Sequence, residues 1–499
     1  MGTRIMVENI LTTLPGLTLD RSADLPLHAQ LAQALRAGIL TGRTPPGTRL
    51  PATRTLAAEL GIGRNTVADA YDQLIAEGYL EARVGSGTRV APIAPDMLLT
   101  TNVENTPAED APPPPLSRRG RDLAGALRPV PPPPGKFGYA FQPGIPAFDA
   151  FPLASWTRIS ARCAKNIRAV GDYSDPDGLA DLREAIVAHV KLARGVVCEA
   201  DQVIVTAGTQ AGLDLAARML IDPQDPVWIE DPGYGGARGA FIGAGANLVP
   251  VPVDEEGMDV RTARRMGARP RVIYVTPSHQ FPLGMTMSLA RRLELLELAE
   301  DADAWIIEDD YDSEYRYHGR PLSSLQGLDG GRRVLYVGTF SKTFFPSLRL
   351  GYLVVPRDHA DAFRKAIRNT GHSAPGLPQL ALKEFMAAGH YEAHTRRMRK
   401  LYDTRRQMLV DTLHDVAAGT LEPQVREAGM QMPAFLKHRR DDEAMAADLV
   451  KLGIAAAPLG RYTLDERNWR PGLMLGFAAV EERFIRPAAE TLNAYLEGA

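Results

Sequence analysis

A lysine and an arginine follow one apolar run near the middle of the sequence. The run Val334–Val337 predicts a buried strand, and Lys342 comes after a Gly-Thr-Phe-Ser turn, with Arg349 seven residues later. A desolvated lysine can attack a carbonyl, and an arginine binds phosphate through two parallel hydrogen bonds. Pyridoxal 5′-phosphate (PLP) has both needs, because it forms a Schiff base and carries a phosphate. An ordinary strand followed by a solvated lysine and arginine would give the same local pattern.

Four other apolar runs also end in polar or aromatic residues. They begin at Val203, Val227, Val272 and Trp305, and they alternate with helical segments such as Ser288 to Asp301. This alternation predicts an α/β domain with a mostly parallel central sheet, whose site lies at the carboxyl ends of the strands. The residues expected at that edge are Gly208, Thr209, Gln210, Tyr234, Asp309, Tyr311, Thr339, Ser341, Lys342 and Arg349.

These residue types suit a bound PLP. A carboxylate facing the pyridine nitrogen keeps it protonated, and an aromatic ring can stack on the cofactor. A tyrosine hydroxyl can bond its 3′-oxygen, while backbone amides, hydroxyls and an arginine can hold its phosphate. Five such strand ends in one chain favour a PLP site over a purely structural sheet.

The first ninety residues predict a separate, small α+β domain. Apolar residues from Leu27 to Ile39 recur at helical spacing, Thr53 can cap a second short helix, and a third helix begins near Arg64 after a glycine turn. Two extended runs then flank Gly85 to Gly87, the pattern of a hairpin wing with Arg83 close to its tip. Two short helices and a wing predict a winged helix-turn-helix that binds double-stranded DNA.

The segment Leu50 to Leu80, with its Leu-Pro-Ala-Thr-Arg and Gly-Arg-Asn-Thr-Val motifs, resembles the GntR-type regulators of bacteria. The resemblance implies DNA contacts from the Leu-Pro-x-x-Arg arginine, the first turn of the recognition helix and a wing glycine. With Arg83 from the wing, the candidate DNA-binding residues are Arg54, Arg64, Asn65, Thr66, Arg83 and Gly87.

Composition sets the remaining boundaries. Two four-proline runs predict a stiff, extended linker. We therefore expect a tail at 1–20, the DNA-binding domain at 21–91, the linker at 92–136 and the PLP domain at 137–499, with a smaller C-terminal subdomain from about 380.

A net charge of -3 excludes a wholly basic nucleic-acid binder. The two cysteines predict no metal site or disulfide framework, and no membrane segment or signal peptide is predicted, so a cytoplasmic protein is expected.

From Phe137 onward, the order and spacing of the strand-end motifs resemble the fold-type I aminotransferases. The resemblance implies that Lys342 is the Schiff-base lysine, Asp309 the pyridine-nitrogen partner and Tyr311 the 3′-oxygen partner. Tyr234 would stack on the ring, and the phosphate would bind to Gly208, Thr209, Thr339, Ser341 and Arg349. Tyr173 matches a tyrosine that reaches the phosphate bound by the other subunit, which implies a homodimer.

The whole arrangement resembles the MocR/GabR family of PLP-dependent transcription regulators. The segments Thr276–Gly284 and Glu308–Tyr317 resemble that family's versions of the sheet-end motifs. The resemblance implies a head-to-tail homodimer and an amine or amino-acid effector that forms an external aldimine and changes how the dimer engages DNA.

Two positions depart from a working aminotransferase. Phe281 stands where an asparagine normally bonds the cofactor's 3′-oxygen, and Met474 stands where an arginine normally binds a substrate α-carboxylate. Arg238, Arg461 and Arg470 are candidates to replace that arginine. Without one, binding energy for an α-amino acid would be lost.

Three functions follow from these residues. The favoured one is a PLP-dependent regulator that senses an amine or amino acid, with at most residual transaminase activity. The first alternative is a regulator of vitamin B6 synthesis for which PLP itself is the signal. The second is an active aminotransferase fused to a DNA-binding domain.

Overall fold

A computed structural model of the chain describes residues 4–6, 18–83, 87–92, 114–126, 131–172, 175–319, 323–438 and 440–498. The chain forms two compact units, Met1–Pro115 and Leu116–Ala499. Among the described residues, none of the helices has the length and apolar character needed to cross a bilayer.

The first unit is a three-helix fold with a hairpin. In chain order it contains β1 (Arg4–Met6), β2 (Thr18–Asp20), α1 (Leu27–Leu40), α2 (Thr53–Leu60), α3 (Arg64–Ala76), β3 (Leu80–Arg83) and β4 (Gly87–Val90). The apolar faces of the three helices meet in one core that includes Leu35, Leu56 and Leu74. Gly61 ends α2 with φ 61°, a left-handed conformation that glycine adopts without strain, and so turns the chain into α3. The predicted winged helix-turn-helix is confirmed, although Thr53 is the first residue of α2 and does not cap it.

The second unit is an α/β domain followed by a smaller sheet. Its elements are, first, α4 (Arg118–Gly125), α5 (Leu153–Ala164), α6 (Ala180–Arg194), β5 (Val203–Thr206), α7 (Thr209–Leu220), β6 (Pro226–Asp231), α8 (Gly235–Ala244), β7 (Asn247–Asp254), β8 (Gly257–Met258), α9 (Val260–Arg265), β9 (Val272–Val275), α10 (Leu289–Asp301), β10 (Trp305–Asp310), α11 (Leu325–Asp329), β11 (Val334–Thr339) and β12 (Gly351–Val354). They are followed by α12 (Arg357–Thr370), α13 (Gly376–Ala387), α14 (His390–Val416), β13 (Leu421–Pro423), β14 (Gln431–Leu436), α15 (Asp442–Lys451), β15 (Ala457–Pro458), β16 (Gly472–Gly476) and α16 (Glu482–Gly498).

The central sheet has eight strands in the order β5, β12, β11, β10, β9, β6, β7, β8. The five strands from β11 to β7 are parallel, whereas β5, β12 and β8 pair antiparallel to their neighbours. The predicted mostly parallel sheet is therefore confirmed, with β7, β8 and β12 as strands that the sequence did not predict. The carboxyl ends of the parallel strands meet at one edge, as expected for an open α/β sheet.

A second, antiparallel sheet has the order β13, β14, β16, β15. Its core with α14 and α16 also includes Ala140 and Phe141, which lie far earlier in the chain. Helix α4 lies within the range predicted as a linker; Ser117 caps it by accepting a hydrogen bond from the Gly120 N–H at 3.0 Å.

Candidate functional site

A cavity of about 580 Å³ lies at the carboxyl edge of the central sheet. Its volume falls within the range of roughly 300–1,000 Å³ typical of small-molecule sites. It is lined by all the cofactor-site residues predicted from the strand ends: Gly208, Thr209, Gln210, Tyr234, Asp309, Tyr311, Thr339, Ser341, Lys342 and Arg349. Tyr173, the residue predicted to reach a partner subunit, lies outside the described residues.

The Lys342 side chain reaches across the cavity to a loop near residue 144. Its Nζ donates a hydrogen bond to the carbonyl oxygen of Gly144 at 2.9 Å. Gly144 has φ 71°, and a Cβ at that position would lie 2.6 Å from the lysine Nζ. Glycine is therefore required here both for the backbone conformation and for the lysine's approach.

We expect Gly144→Ala to impair Schiff-base formation, because the added methyl group displaces the Lys342 amine. Gly138→Ala is the matched control, since Gly138 has a similar φ of 63° but nothing within 4 Å of its Cβ position. Both changes carry a backbone strain of roughly 1–2 kcal/mol. Absorbance titration of each apoprotein with PLP measures the difference, and equal titrations for the two variants would contradict the role given to Gly144.

Asp309 is placed by the alternation of side chains along β10. Its Oδ2 accepts a hydrogen bond from the Tyr274 hydroxyl at 2.7 Å, whereas its buried Oδ1 has no partner among the described residues. The next residue, Asp310, points to the other face, where it pairs with Arg194 at 2.6 Å. Burial raises the pKa of Asp309 to about 7, against the lowering effect of the Tyr274 hydrogen bond. An unpaired buried carboxyl oxygen in a cavity suits a protonated ring nitrogen.

Tyr311 is held by a histidine that the sequence analysis assigned no role. His279 is buried, and its Nδ1 lies 2.9 Å from the Tyr311 hydroxyl and 3.0 Å from an oxygen of Asp312. Burial, with the negative charge of Asp312 next, raises the pKa of Tyr311 well above its usual value. The phenol therefore stays protonated and can donate a hydrogen bond into the cavity.

The residues predicted to bind the phosphate lie around the start of α7 and the end of β11. Gly208 precedes α7 with φ 89°, and the first residues of the helix, Thr209 and Gln210, line the cavity, so the helix N-terminus borders it. The Arg349 side chain is exposed and forms no hydrogen bond or ion pair with any residue that the structure describes. Thr339 and Ser341 lie beside it along the cavity wall. Together they can bind a dianion.

The structure also shows where Phe281 and Met474 lie, the two positions at which the sequence departs from a working aminotransferase. Phe281 lines the cavity, with its ring centroid 4.9 Å from that of Tyr462. Met474 is fully buried and is absent from the cavity lining. Among the three candidate arginines, Arg470 pairs with Glu422 outside the lining, Arg461 lines the cavity but pairs with Glu443 at 2.8 Å, and Arg238 lines it and donates to the Arg461 carbonyl.

Sequence reasoning missed the wall formed by Gln142, Gly144 and Gln431, all of which line the cavity. Gln142 and Gly144 belong to a loop without periodicity, and Gln431 begins a strand of the second sheet. The adjacent prolines and glycines signalled only a turn. No local pattern indicated that these residues would meet Lys342.

In the first unit, most predicted DNA-binding side chains are solvent-exposed. Arg64 and Asn65 are exposed in the first turn of α3, with Thr66 half-buried, and Arg54 is exposed on α2. Gly87 begins β4 with φ 82°, and a Cβ there would lie 3.0 Å from Arg49 Nε. The Arg83 side chain lies outside the described part of the structure. An exposed recognition-helix N-terminus of this kind is what a DNA major groove requires.

Comparisons with known proteins agree with both units. Residues 27–90 match the model of the bacterial regulatory proteins of the gntR family, and residues 143–492 match the model of the aminotransferases of class I and II. The chain is 43% identical to the "Probable rhizopine catabolism regulatory protein MocR" of Rhizobium meliloti, across 96% of this chain and 95% of that protein. It is 33% identical to the "HTH-type pyridoxine biosynthesis transcriptional regulator PdxR" of Corynebacterium glutamicum, across 96% and 97% of the two chains.

Among solved structures, the α-aminoadipate aminotransferase LysN of Thermus thermophilus is similar with a TM-score of 0.66 and 26% identity. The similarity covers 77% of this chain and 95% of that enzyme, which was solved with N-(5′-phosphopyridoxyl)-L-leucine. The unpaired Asp309 oxygen, the Lys342 amine and the Arg349 guanidinium fit the ring nitrogen, aldehyde and phosphate of PLP. PLP is the cofactor of this domain.

Proposed function

The chain belongs to the MocR family of transcription regulators, in which a GntR-type DNA-binding domain is joined to a PLP aminotransferase-like domain, and we propose that it senses an amine or amino-acid effector at Lys342. The observation that carries the proposal is the cavity in which Lys342 meets Asp309 and Arg349. The same chain presents an exposed recognition helix. A reaction of the effector at Lys342 can therefore change how the same chain binds DNA.

When bound, PLP supplies an aldehyde that condenses reversibly with primary amines. We expect Arg349, Thr209 and Ser341 to hold the phosphate, and Asp309 to accept a hydrogen bond from the protonated ring nitrogen. The Tyr311 phenol would donate to the 3′-oxygen. Because Phe281 replaces the asparagine and has no donor, we assign the hydrogen bond to the cofactor's 3′-oxygen to Tyr311, which lines the same cavity.

An effector amine would take the place of Lys342 at the aldehyde that PLP supplies, and Lys342 would be released as a free amine. The two protons given up by the effector's ammonium would pass to the Lys342 nitrogen, so the exchange would consume no oxidant or reductant. The Gly144 carbonyl, which accepts a hydrogen bond from Lys342 Nζ in the structure, would accept one from the freed amine. The exchange needs no turnover, which suits a sensor more than an enzyme.

The test is a titration of the PLP-loaded protein with primary amines, amino acids and aminosulfonates. We expect at least one class to change both the imine absorbance and the affinity for DNA upstream of the protein's own gene. A spectrum unmoved by every amine would refute effector exchange at Lys342.

The alternative, a sensor of PLP itself, gains support from the cavity's lack of an arginine at position 474. It predicts that apoprotein and PLP-loaded protein differ in DNA affinity while amines change nothing further. Steady turnover of an amino donor and a keto acid would instead favour an active aminotransferase.

We propose a head-to-tail homodimer acting in the cytoplasm, with Tyr173 reaching the partner's cofactor.

A further inference from the structure

The cavity contains a guanidinium on α8 that no carboxylate neutralises. Arg238 lines the cavity one helical turn after Tyr234. In the described part of the chain, its only hydrogen bond runs from Nη2 to the carbonyl oxygen of Arg461 at 2.8 Å, and it forms no ion pair. Burial lowers the pKa of Arg238, and the negative charge of Asp231 offsets that effect only in part. A partly buried cation without a paired anion costs free energy that a bound anion would offset.

The other two candidate arginines already have partners. Arg461 also lines the cavity, but its guanidinium forms two hydrogen bonds with the carboxylate of Glu443, at 3.1 and 2.8 Å. Arg470 pairs with Glu422 and lies outside the lining. Of the three arginines that could replace one at position 474, Arg238 is therefore the cation that a ligand in the cavity can pair with.

The phosphate of PLP does not account for Arg238. Arg349, which is expected to bind that phosphate, follows β11, whereas Arg238 follows β6. Strands β10 and β9 lie between those two strands in the sheet. The two strands are therefore separated by roughly 14 Å, at about 4.8 Å per strand spacing. A phosphate held at Arg349 leaves Arg238 without an anion.

A phenol next to Arg238 provides a second donor. Tyr462 lines the cavity and follows Arg461, whose carbonyl oxygen bonds Arg238. The Tyr462 hydroxyl forms no hydrogen bond with any residue that the structure describes, and burial raises the pKa of Tyr462 to about 12, so the hydroxyl stays protonated. Its ring centroid lies 4.9 Å from that of Phe281, which lies 5.9 Å from that of Tyr311. Tyr462 is therefore one aromatic ring away from the residue expected at the cofactor's 3′-oxygen.

We propose that Arg238 and the Tyr462 hydroxyl form a subsite for a carboxylate or sulfonate group of the effector, in place of the arginine that is absent at position 474. The inference rests on the proposed effector exchange at Lys342, and it narrows the effector to amines that carry an acid group. A guanidinium binds such a group through two parallel hydrogen bonds, and the phenol can donate a third. A neutral amide of the same shape has no charge to pair with Arg238. The subsite thus selects amino acids and aminosulfonates over their amides and over alkylamines.

The test compares each acid with its own amide in titrations of the PLP-loaded protein, followed by the imine absorbance. The pairs are glycine and glycinamide, β-alanine and β-alaninamide, and 2-aminoethanesulfonate and its sulfonamide. Affinities are expressed for the unprotonated amine, because the acid and the amide differ in amine basicity. We expect at least one acid to bind about tenfold or more tightly than its amide, the effect of a hydrogen bond between charged groups. The pair with the largest ratio identifies the acid group and the chain length that the subsite prefers.

Arg238→Met should reduce that ratio toward one and leave the affinities for the amides and for PLP unchanged. Arg238→Lys keeps the charge without the planar fork, so it should retain part of the ratio. Arg470→Met is the matched control, because it removes a guanidinium that lies outside the cavity. Its acid-to-amide ratio should equal that of the unaltered protein.

Thermal unfolding of the apoproteins distinguishes a ligand site from a structural role. Removal of a partly buried charge that has no ion pair should leave the melting temperature unchanged or higher. An Arg238→Met protein that unfolds at lower temperature and keeps the acid preference would overturn the subsite.

Three further outcomes separate this inference from the proposed function. Equal affinity for every acid and its amide, or an unchanged ratio in Arg238→Met, overturns the anion subsite and leaves amine sensing intact. Loss of PLP binding in Arg238→Met would assign the residue to the cofactor and would also overturn the subsite. If no amine of any kind changes the absorbance, the proposed function fails and the subsite fails with it.

Discussion

Lys342→Ala should abolish the imine absorbance that this regulator shows before any effector is added. The variant can still hold PLP through Arg349 and Asp309, but it has no amine to form the resting Schiff base. An added amine can still condense with the free aldehyde, but it no longer exchanges with a Schiff base, so its imine should form more slowly than in the unaltered protein. Absorbance spectra followed over time, with and without effector, measure both changes.

The fold should survive this substitution. In the structure, the Lys342 amine donates a hydrogen bond to the Gly144 carbonyl, and a bond from a charged donor contributes only about 1.5–3 kcal/mol. Lys383→Ala is the matched control, because Lys383 pairs with Asp181 at 3.0 Å and does not line the cavity. A Lys342→Ala protein that keeps its imine absorbance without effector would show that another amine holds the cofactor.

The central sheet and its strand ends could be predicted because their signals are local. Four of the five parallel strands are short apolar runs that the sequence reveals, and the packing of an open sheet brings their carboxyl ends together. Asp309, Tyr311 and Lys342 therefore share one cavity although their strands are separate in sequence. The strand β12 was missed because Gly351–Val354 is short and follows the Arg349 loop at once.

The opposite wall of the cavity could not be predicted from the sequence. Lys342 and Gly144 are 198 residues apart, and Gln431 comes from a different sheet. Only tertiary packing sets such contacts, and no periodicity or motif marks them. Helix α4 was missed for another reason, because prolines on both sides concealed the capping signal of Ser117.

Arg64→Ala should weaken DNA binding by about tenfold or more while the PLP site stays intact. Arg64 is exposed in the first turn of α3, where it can reach a base edge or a phosphate. Loss of a bidentate contact to a base costs about 1–3 kcal/mol, and loss of a phosphate contact lowers the salt slope by about one. Binding to operator DNA at several salt concentrations therefore separates the two kinds of contact.

The control for this substitution is Arg43→Ala. Arg43 is exposed in the same unit, outside α2 and α3, and its guanidinium bonds only to Thr41 among the described residues. It removes the same charge, so a general electrostatic effect would weaken both variants equally. A loss confined to Arg64→Ala, with an unchanged imine spectrum, separates DNA reading from effector sensing. If Arg64→Ala also lost the imine, the two functions could not be assigned to separate units.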